Sequence, residues 1–305
     1  MATGDRLLIL GASGMLGQAL IQAYRQRGLE AIGIARRPHA LVDLQLDSCD
    51  DAALTQAILN IRPDVVINAA AMVDLAACEA DPGAAYRINA RLPALLAVLA
   101  REQGFHLVQI SSDHFFAGDG ASLHDETAPV QLLNEYARSK YAGEAFALTA
   151  PEAWVLRTNL VGFRHDPAQP TFVEWALAGL ARKLPMTLFS DYYTSSISVR
   201  LFADLLLDAL PQRPTGLLNL AAREAVSKQS FVEALARAAG LDTAACRPGK
   251  VADQPGVRRA DSLGLDVQRA ETMLGRSMPG LSANIAELIR EYNEGKSCVT
   301  TASCT

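Results

Sequence analysis

The 305-residue sequence has no long apolar run, no basic cluster and no paired cysteines, and each absence removes a class of function. No stretch reaches the roughly 20 apolar residues that a membrane-spanning helix needs. A net charge of −5, with no lysine- or arginine-rich segment, gives no general attraction to nucleic acid or to an anionic membrane surface. The five cysteines (Cys49, Cys78, Cys246, Cys298 and Cys304) are odd in number and never spaced as CxxC, which argues against a disulfide framework or a zinc site. Five histidines, none at paired ligand spacing, predict no protein-built metal centre. The opening MATGDRLLILG lacks the basic leader, long apolar core and cleavage site of a secretory signal. The expectation is a cytoplasmic protein with neither a membrane nor a nucleic-acid partner.

What is present is globular: 50% of residues are hydrophobic and 20% charged. The length exceeds the usual single core, predicting a large domain with a smaller lobe. In the first half, short aliphatic runs alternate with longer amphipathic stretches. Strands are expected at RLLILG (6–11), AIGIA (31–35), LQL before Asp47, DVVINAA (64–70), HLVQISS (106–112) and AWVLRTN (153–159). Helices are expected at MLGQALIQAYRQRG, DAALTQAILNIR, PGAAYRINARLPALLAVLAREQG and NEYARSKYAGEAFAL. This alternation predicts an α/β fold with a doubly wound parallel sheet, whose ligands lie beyond the carboxyl ends of the strands. After Gly162 the rhythm changes, and TGLLNLA (215–221) returns a strand to the main sheet. The predicted division is 1–162 with 197–224 for the main domain, 163–196 with 225–290 for the lobe of helices and loops, and 291–305 for a polar tail.

Gly11-Ala-Ser-Gly14-Met-Leu-Gly17 follows the first strand and opens the first helix. Glycines so spaced permit a tight turn, close approach of backbone to a pyrophosphate, and tight helix-to-strand packing, with the helix N-terminus facing the anion. Dinucleotide binding follows, in a Rossmann domain. The second strand ends in Arg36-Arg37 rather than in an acid. An acid would repel a 2'-phosphate, whereas a guanidinium bonds it, so NADPH is favoured, with NADH as the lesser choice. Asp47 is a candidate acceptor for the adenine amine.

Tyr136 and Lys140 stand four apart on a predicted helix and so share a face. A neighbouring ammonium lowers a phenol's pKa, which makes Tyr136 a candidate acid or base. Ser112 ends the predicted HLVQIS strand, at the edge where ligands should bind. If the two elements pack together, Ser112 and Tyr136 donate to one carbonyl oxygen while Lys140 holds the nicotinamide ribose.

These residues, with GASGMLGQ, RPDVVINAAAMVDLAACEADPGAAYRINA (62–90), SSDHFFAG, NEYARSKYAGE, VLRTNLVG and RRADSLGLDVQRAE, resemble the extended short-chain dehydrogenase/reductases, and within them the dTDP-4-dehydrorhamnose reductase group. The resemblance covers nearly the whole chain. It implies Ser112, Tyr136 and Lys140 as the catalytic group. It also implies Gly11, Ser13, Gly14, Met15 and Leu16 around the cofactor phosphates, and Ala69, Ala70 and Ala71 around its adenine and ribose. Asn89 and the Thr158–Asn159 region would support the site. Asp113 follows the catalytic hydroxyl as in the reductases; a 4,6-dehydratase would show Thr-Asp-Glu, and His114 stands where that glutamate would be. Two departures are His114 itself, where the reductases more often carry Tyr, and SDYYTSSIS (190–198), where they carry Gly-x-Pro-Thr. We expect His114 to be a wall of the pocket.

The expected function is NADPH-dependent reduction of a 4-keto nucleotide-diphosphate sugar, with Tyr136 as proton donor. Asp113, His114, Asn159, Trp175, Tyr192, Tyr193, Arg258 and Arg259 are candidates for holding that substrate. A homodimer is left open. Two alternatives are a nucleotide-sugar epimerase or other carbonyl dehydrogenase of the same family, and a non-catalytic NADP-binding regulatory subunit. The retained hydroxyl, phenol and amine count against the last.

Overall fold

The computed structural model describes residues 5–302, with side chains described for residues 5–295. Seven strands form one parallel sheet, in the spatial order Gly216–Asn219, Trp154–Arg157, His106–Ile110, Val65–Asn68, Leu7–Leu10, Ala31–Ala35 and Leu44–Gln45. Its three central strands are buried at every residue, as continuous apolar runs require when helices cover both faces. One face packs Leu7, Ile9, Leu20, Tyr24, Phe202 and Leu206, and the other packs Leu8, Leu10, Ile58, Leu96, Leu107 and Val155. In register, Leu7 stands between Ala31 and Val65. The chain runs outward from the first strand in one direction through the second and third strands, then starts in the other direction at Val65–Asn68. That reversal opens a crevice between the turn after Leu10 and the turn after Asn68.

A second core forms from Val161, Phe163, Val173, Leu177, Met186, Phe231, Leu235 and Leu288. Beside it lies a four-stranded sheet in the order Val226–Ser227, Tyr193–Thr194, Ser262–Leu265, Leu123–His124. Three expectations need correction here. Residues 225–290 are not only helices and loops, since Cys246–Gly249 and Ser262–Leu265 are strands. The small sheet also recruits Leu123–His124, paired to Gly264 and Leu265, from inside the span given to the main domain. And of residues 291–305, expected as a tail, those up to 302 form the second half of the Leu281–Ala302 helix, while 303–305 lie outside the described residues. That helix is held partly by charge: Arg200 lies 3.4 Å from buried Glu291 and 2.7 Å from Glu294. Among the described residues, no helix is long and apolar enough to cross a membrane.

Candidate active site

The first strand ends in a turn whose Gly11 has φ +83°, the left-handed region that glycine occupies without steric cost. The turn closes through Gly14 N–H donating to Gly11 C=O at 2.9 Å, and Gly14 caps the Met15–Gln26 helix with no side-chain bond. A Cβ on Gly17 would collide with the Gly11 carbonyl, so this position admits the helix against the strand. The result is a cradle of backbone N–H groups at a helix N-terminus, half-exposed at Ser13, Gly14 and Met15. Leu16 differs: its side chain is buried in the core, so only its backbone can face a phosphate. Across the crevice, half-buried Ala69, Ala70 and Ala71 follow the fourth strand, with Ala69 N–H donating to Leu10 C=O at 3.0 Å. The two turns approach closely: a Cβ on Gly11 would lie 2.9 Å from the Ala69 and Ala70 backbone, so only glycine allows this approach. Arg36 and Arg37 are exposed at the end of the second strand, and Asp47 accepts from Cys49 N–H at 3.0 Å in the turn after the third.

Ser112 and Asp113 lie just past the carboxyl end of His106–Ile110, almost fully buried. Asn134 caps the Glu135–Ala147 helix, accepting from Ala137 N–H at 2.8 Å, and this aims buried Tyr136 and Lys140 at the same edge. The Tyr136 phenol donates to Ser112 Oγ at 3.2 Å, and Lys140 Nζ donates to Ile110 C=O at 2.7 Å. Ser112 Oγ also accepts from His114 N–H at 3.2 Å. With both acceptor positions taken, the serine's own proton is its remaining donor.

The electrostatics differ from expectation at one point. Burial pushes the Tyr136 phenol above its ordinary pKa, and nearby Asp113 adds to the rise. Lys140 does not contribute the anticipated lowering; that ammonium is itself buried and donates to Ile110 C=O. Its own pKa falls to about 8 through burial, with Glu144 opposing the fall. A phenol so held keeps its proton at neutral pH and is an acid rather than a base.

Asn89 lies in a π-helical turn, Arg87–Arg91, between two α-helical stretches. Its side chain accepts from Met72 N–H at 2.9 Å and donates to Met72 C=O at 2.9 Å and to Ser139 Oγ at 3.0 Å. It thereby joins the loop after the fourth strand to the helix that carries Tyr136.

His114 meets Tyr136 edge-on, ring centroids 5.4 Å apart, and its Nε2 lies 3.3 Å from the Tyr192 hydroxyl. Burial, then the charges of Lys228 and Arg259, hold its pKa down to about 4, so the ring is neutral at physiological pH. Asn159 Nδ2 donates to Asp113 at 2.7 Å. Arg259 acts electrostatically on both Tyr192 and His114, which places it near this wall. Arg258 is exposed beside it and offers its carbonyl to Asn134 Nδ2 at 2.9 Å. Tyr193 is half-buried in the small sheet. Trp175 stands apart: it is 45% exposed and lines a separate cavity of about 650 Å³ with His165, Glu174 and Arg182.

Sequence reasoning missed Lys228, Ser196 and Glu144. Lys228 is the first residue of the Lys228–Ala239 helix, capped by Ser227, and its Nζ donates to Ser196 Oγ at 3.3 Å. A cation at that position opposes the helix dipole, a signal readable in SKQS once the preceding strand is recognised. Glu144 stands one turn beyond Lys140 and accepts from Ser111 Oγ at 2.9 Å, and from Arg157 Nε at 3.0 Å and Nη2 at 2.6 Å.

The family model described as RmlD substrate binding domain matches residues 5–294. The chain belongs to this family. It is a dTDP-4-dehydrorhamnose reductase-like member of the extended short-chain dehydrogenase/reductases. A probable low-salt glycan biosynthesis reductase of Haloferax volcanii is 29% identical to it, over 94% of this chain and 98% of that one. A dTDP-4-dehydrorhamnose reductase of Mycobacterium tuberculosis is 40% identical over a shorter span, 52% of this chain and 50% of the relative. A solved structure described as a hypothetical dTDP-4-dehydrorhamnose reductase from Sulfolobus tokodaii superposes with a TM-score of 0.81 at 28% identity, over 90% of this chain and 96% of that one.

Proposed function

We propose that this RmlD-family protein is an NADPH-dependent reductase of a 4-keto sugar carried on a nucleoside diphosphate. The observation that carries the reading is the Tyr136–Ser112 contact at 3.2 Å, at the sheet edge beside the glycine cradle. Bound NADPH would supply a hydride to the carbonyl carbon. Gly11, Ser13, Gly14, Met15 and the backbone of Leu16 would hold its pyrophosphate, Arg36 and Arg37 its 2'-phosphate, and Asp47 with Ala69–Ala71 its adenosine.

The protein's own residues carry the rest. Ser112 and Tyr136 donate to the ketone oxygen as negative charge develops on it, and Tyr136 delivers the proton that completes the alcohol. Its raised pKa keeps that proton available until the oxygen becomes basic. Lys140, fixed by Ile110, would hold the ribose on the nicotinamide side. His114 and Tyr192 close one side of the pocket, and Asp113 and Asn159 face the sugar hydroxyls. Tyr193, Arg258 and Arg259 are the lobe's candidates for nucleotide and diphosphate, with Trp175 more remote.

A screen of NADPH oxidation against dTDP-, GDP-, UDP- and CDP-linked 4-keto sugars tests this. Turnover with at least one, faster with NADPH than with NADH, is expected. A protein that binds NADPH and oxidises it with none of them would overturn the reading and favour a non-catalytic role. Cofactor retained through purification, with exchange of configuration at the sugar instead of net reduction, would favour an epimerase.

A further inference from the structure

We propose that Lys228 is a positioning residue that acts on the reacting edge through a one-way hydrogen-bond relay ending at the carboxylate of Asp113. Lys228 Nζ donates to Ser196 Oγ at 3.3 Å, Ser196 Oγ donates to Asn159 Oδ1 at 2.7 Å, and Asn159 Nδ2 donates to Asp113 Oδ2 at 2.7 Å. Every donor points the same way. Thr194 Oγ1, 2.8 Å from Ser196 Oγ, satisfies the serine's other acceptor position. The relay crosses from the lobe to the sheet and stops one residue from Ser112.

Lys228 is half-buried, and its ammonium is built into place. Its ammonium lies over the ring faces of Phe172 (4.6 Å), Tyr192 (5.8 Å) and Phe231 (5.8 Å), and its backbone N–H donates to Tyr192 C=O at 2.9 Å. Such a cage accommodates a cation but gives it little hydrogen bonding. A lysine stem of this length could instead reach water, as most do. Holding it here, at the positive end of a helix, costs stability that the ring faces and a nearby anion offset. Asp113 is that anion. The groups facing it are Lys228 from the Lys228–Ala239 helix, Tyr136 from the catalytic helix, Tyr192 from the lobe, and the neutral side chains of Asn159 and Ser112. Among them only Lys228 brings positive charge.

The consequence is electrostatic. Burial raises the Asp113 carboxyl to about 7, against the lowering influence of Asn159, Lys228 and Ser112. Without the Lys228 charge that midpoint would rise further, leaving the carboxyl mostly protonated at pH 7 and unable to accept from a sugar hydroxyl. This inference rests on the reductase reading for its kinetic consequence but not for its existence.

The test uses the full chain with Lys228→Gln, Lys228→Arg and Ser196→Ala. The Asp113 carboxyl is followed by carbon-13 NMR of aspartate-labelled protein, assigned by its disappearance in Asp113→Asn. We expect Lys228→Gln to raise the Asp113 midpoint by about one pH unit, Lys228→Arg to leave it near the wild-type value, and Ser196→Ala to raise it part of the way. With the sugar found in the screen, the acid limb of the kcat/KM profile should move by the same amount, a loss of roughly fivefold at pH 7. An unmoved midpoint in Lys228→Gln, or equal shifts with Gln and Arg, overturns the proposal. Should Lys228→Gln not fold, Ser196→Ala decides it, since an unmoved midpoint there breaks the relay. If no sugar is reduced, the reductase reading fails while the NMR titration still judges Lys228.

Discussion

The Tyr136 hydroxyl donates to Ser112 Oγ at 3.2 Å, across 24 positions of sequence and between two different elements. Tyr136→Phe removes that donor and little volume. We expect turnover to fall by at least about 100-fold, the scale of a lost general acid, while NADPH affinity stays within about twofold. Steady-state rates with a cofactor-binding titration measure both. Turnover within tenfold of wild type would remove Tyr136 from its role.

Arg36 and Arg37 stand exposed where the second strand ends. Replacing both with Ala should weaken NADPH by tenfold or more and NADH by less than about threefold, since a hydrogen bond to a charged group contributes about 1.5–3 kcal/mol. Fluorescence titration of each cofactor gives the ratio. Equal losses would assign the pair to the fold instead.

Arg157 and Glu144 form an ion pair of which each side chain is 3% exposed, with the guanidinium 5.3 Å from the Phe115 ring centre. Removing one partner strands the other charge in the core. Arg157→Met or Glu144→Gln should each cost about 3–5 kcal/mol in chemical denaturation. The double variant should cost less than the sum of the two, because neither then leaves an isolated charge.

His106 begins the fifth strand, 3% exposed, and burial followed by the charge of Arg213 lowers its pKa to about 4, against a raising contact from the Glu152 backbone. Unfolded chains take up that proton near 6.5, so the unfolded state binds more protons between about pH 6.5 and 4. Its contribution to stability is therefore complete above pH 6.5 and is lost as pH falls toward 4. Comparing Tm at pH 7.5 and 5, His106→Leu should gain on the wild type at the lower pH. A pH-independent difference would refute this.

Much of the sheet was legible because its strands are apolar at every position and end in turn residues. The glycine turn and the Tyr136 helix were legible for a related reason: their chemistry lies within seven consecutive residues or one helical turn. Elements of two residues, such as Leu123–His124 and Tyr193–Thr194, carry no period and exist only through their partners. The Leu281–Ala302 helix was misjudged at its end because small polar residues were read as a tail, whereas the helix runs on as far as Ala302, with Arg200 anchoring its middle turns at Glu287, Glu291 and Glu294. Lys228 and Ser196 escaped notice because Lys228 meets Ser196, and Ser196 meets Asn159, only after the lobe folds back, a proximity that no spacing encodes.

The π-helical turn at Arg87–Arg91 has an evolutionary and engineering consequence. Such a turn takes up one surplus residue as a local bulge in an otherwise continuous helix, so deleting one position here would restore an ordinary α-helix with the flanking stretches still in register and the bulge itself gone. Asn89 would be drawn off Met72 and Ser139, and the bolt between the loop after Asn68 and the helix that carries Tyr136 would open. A single-codon deletion at this place should therefore uncouple the loop after Asn68 from the Tyr136 helix while Ser112, Tyr136 and Lys140 all remain in the sequence.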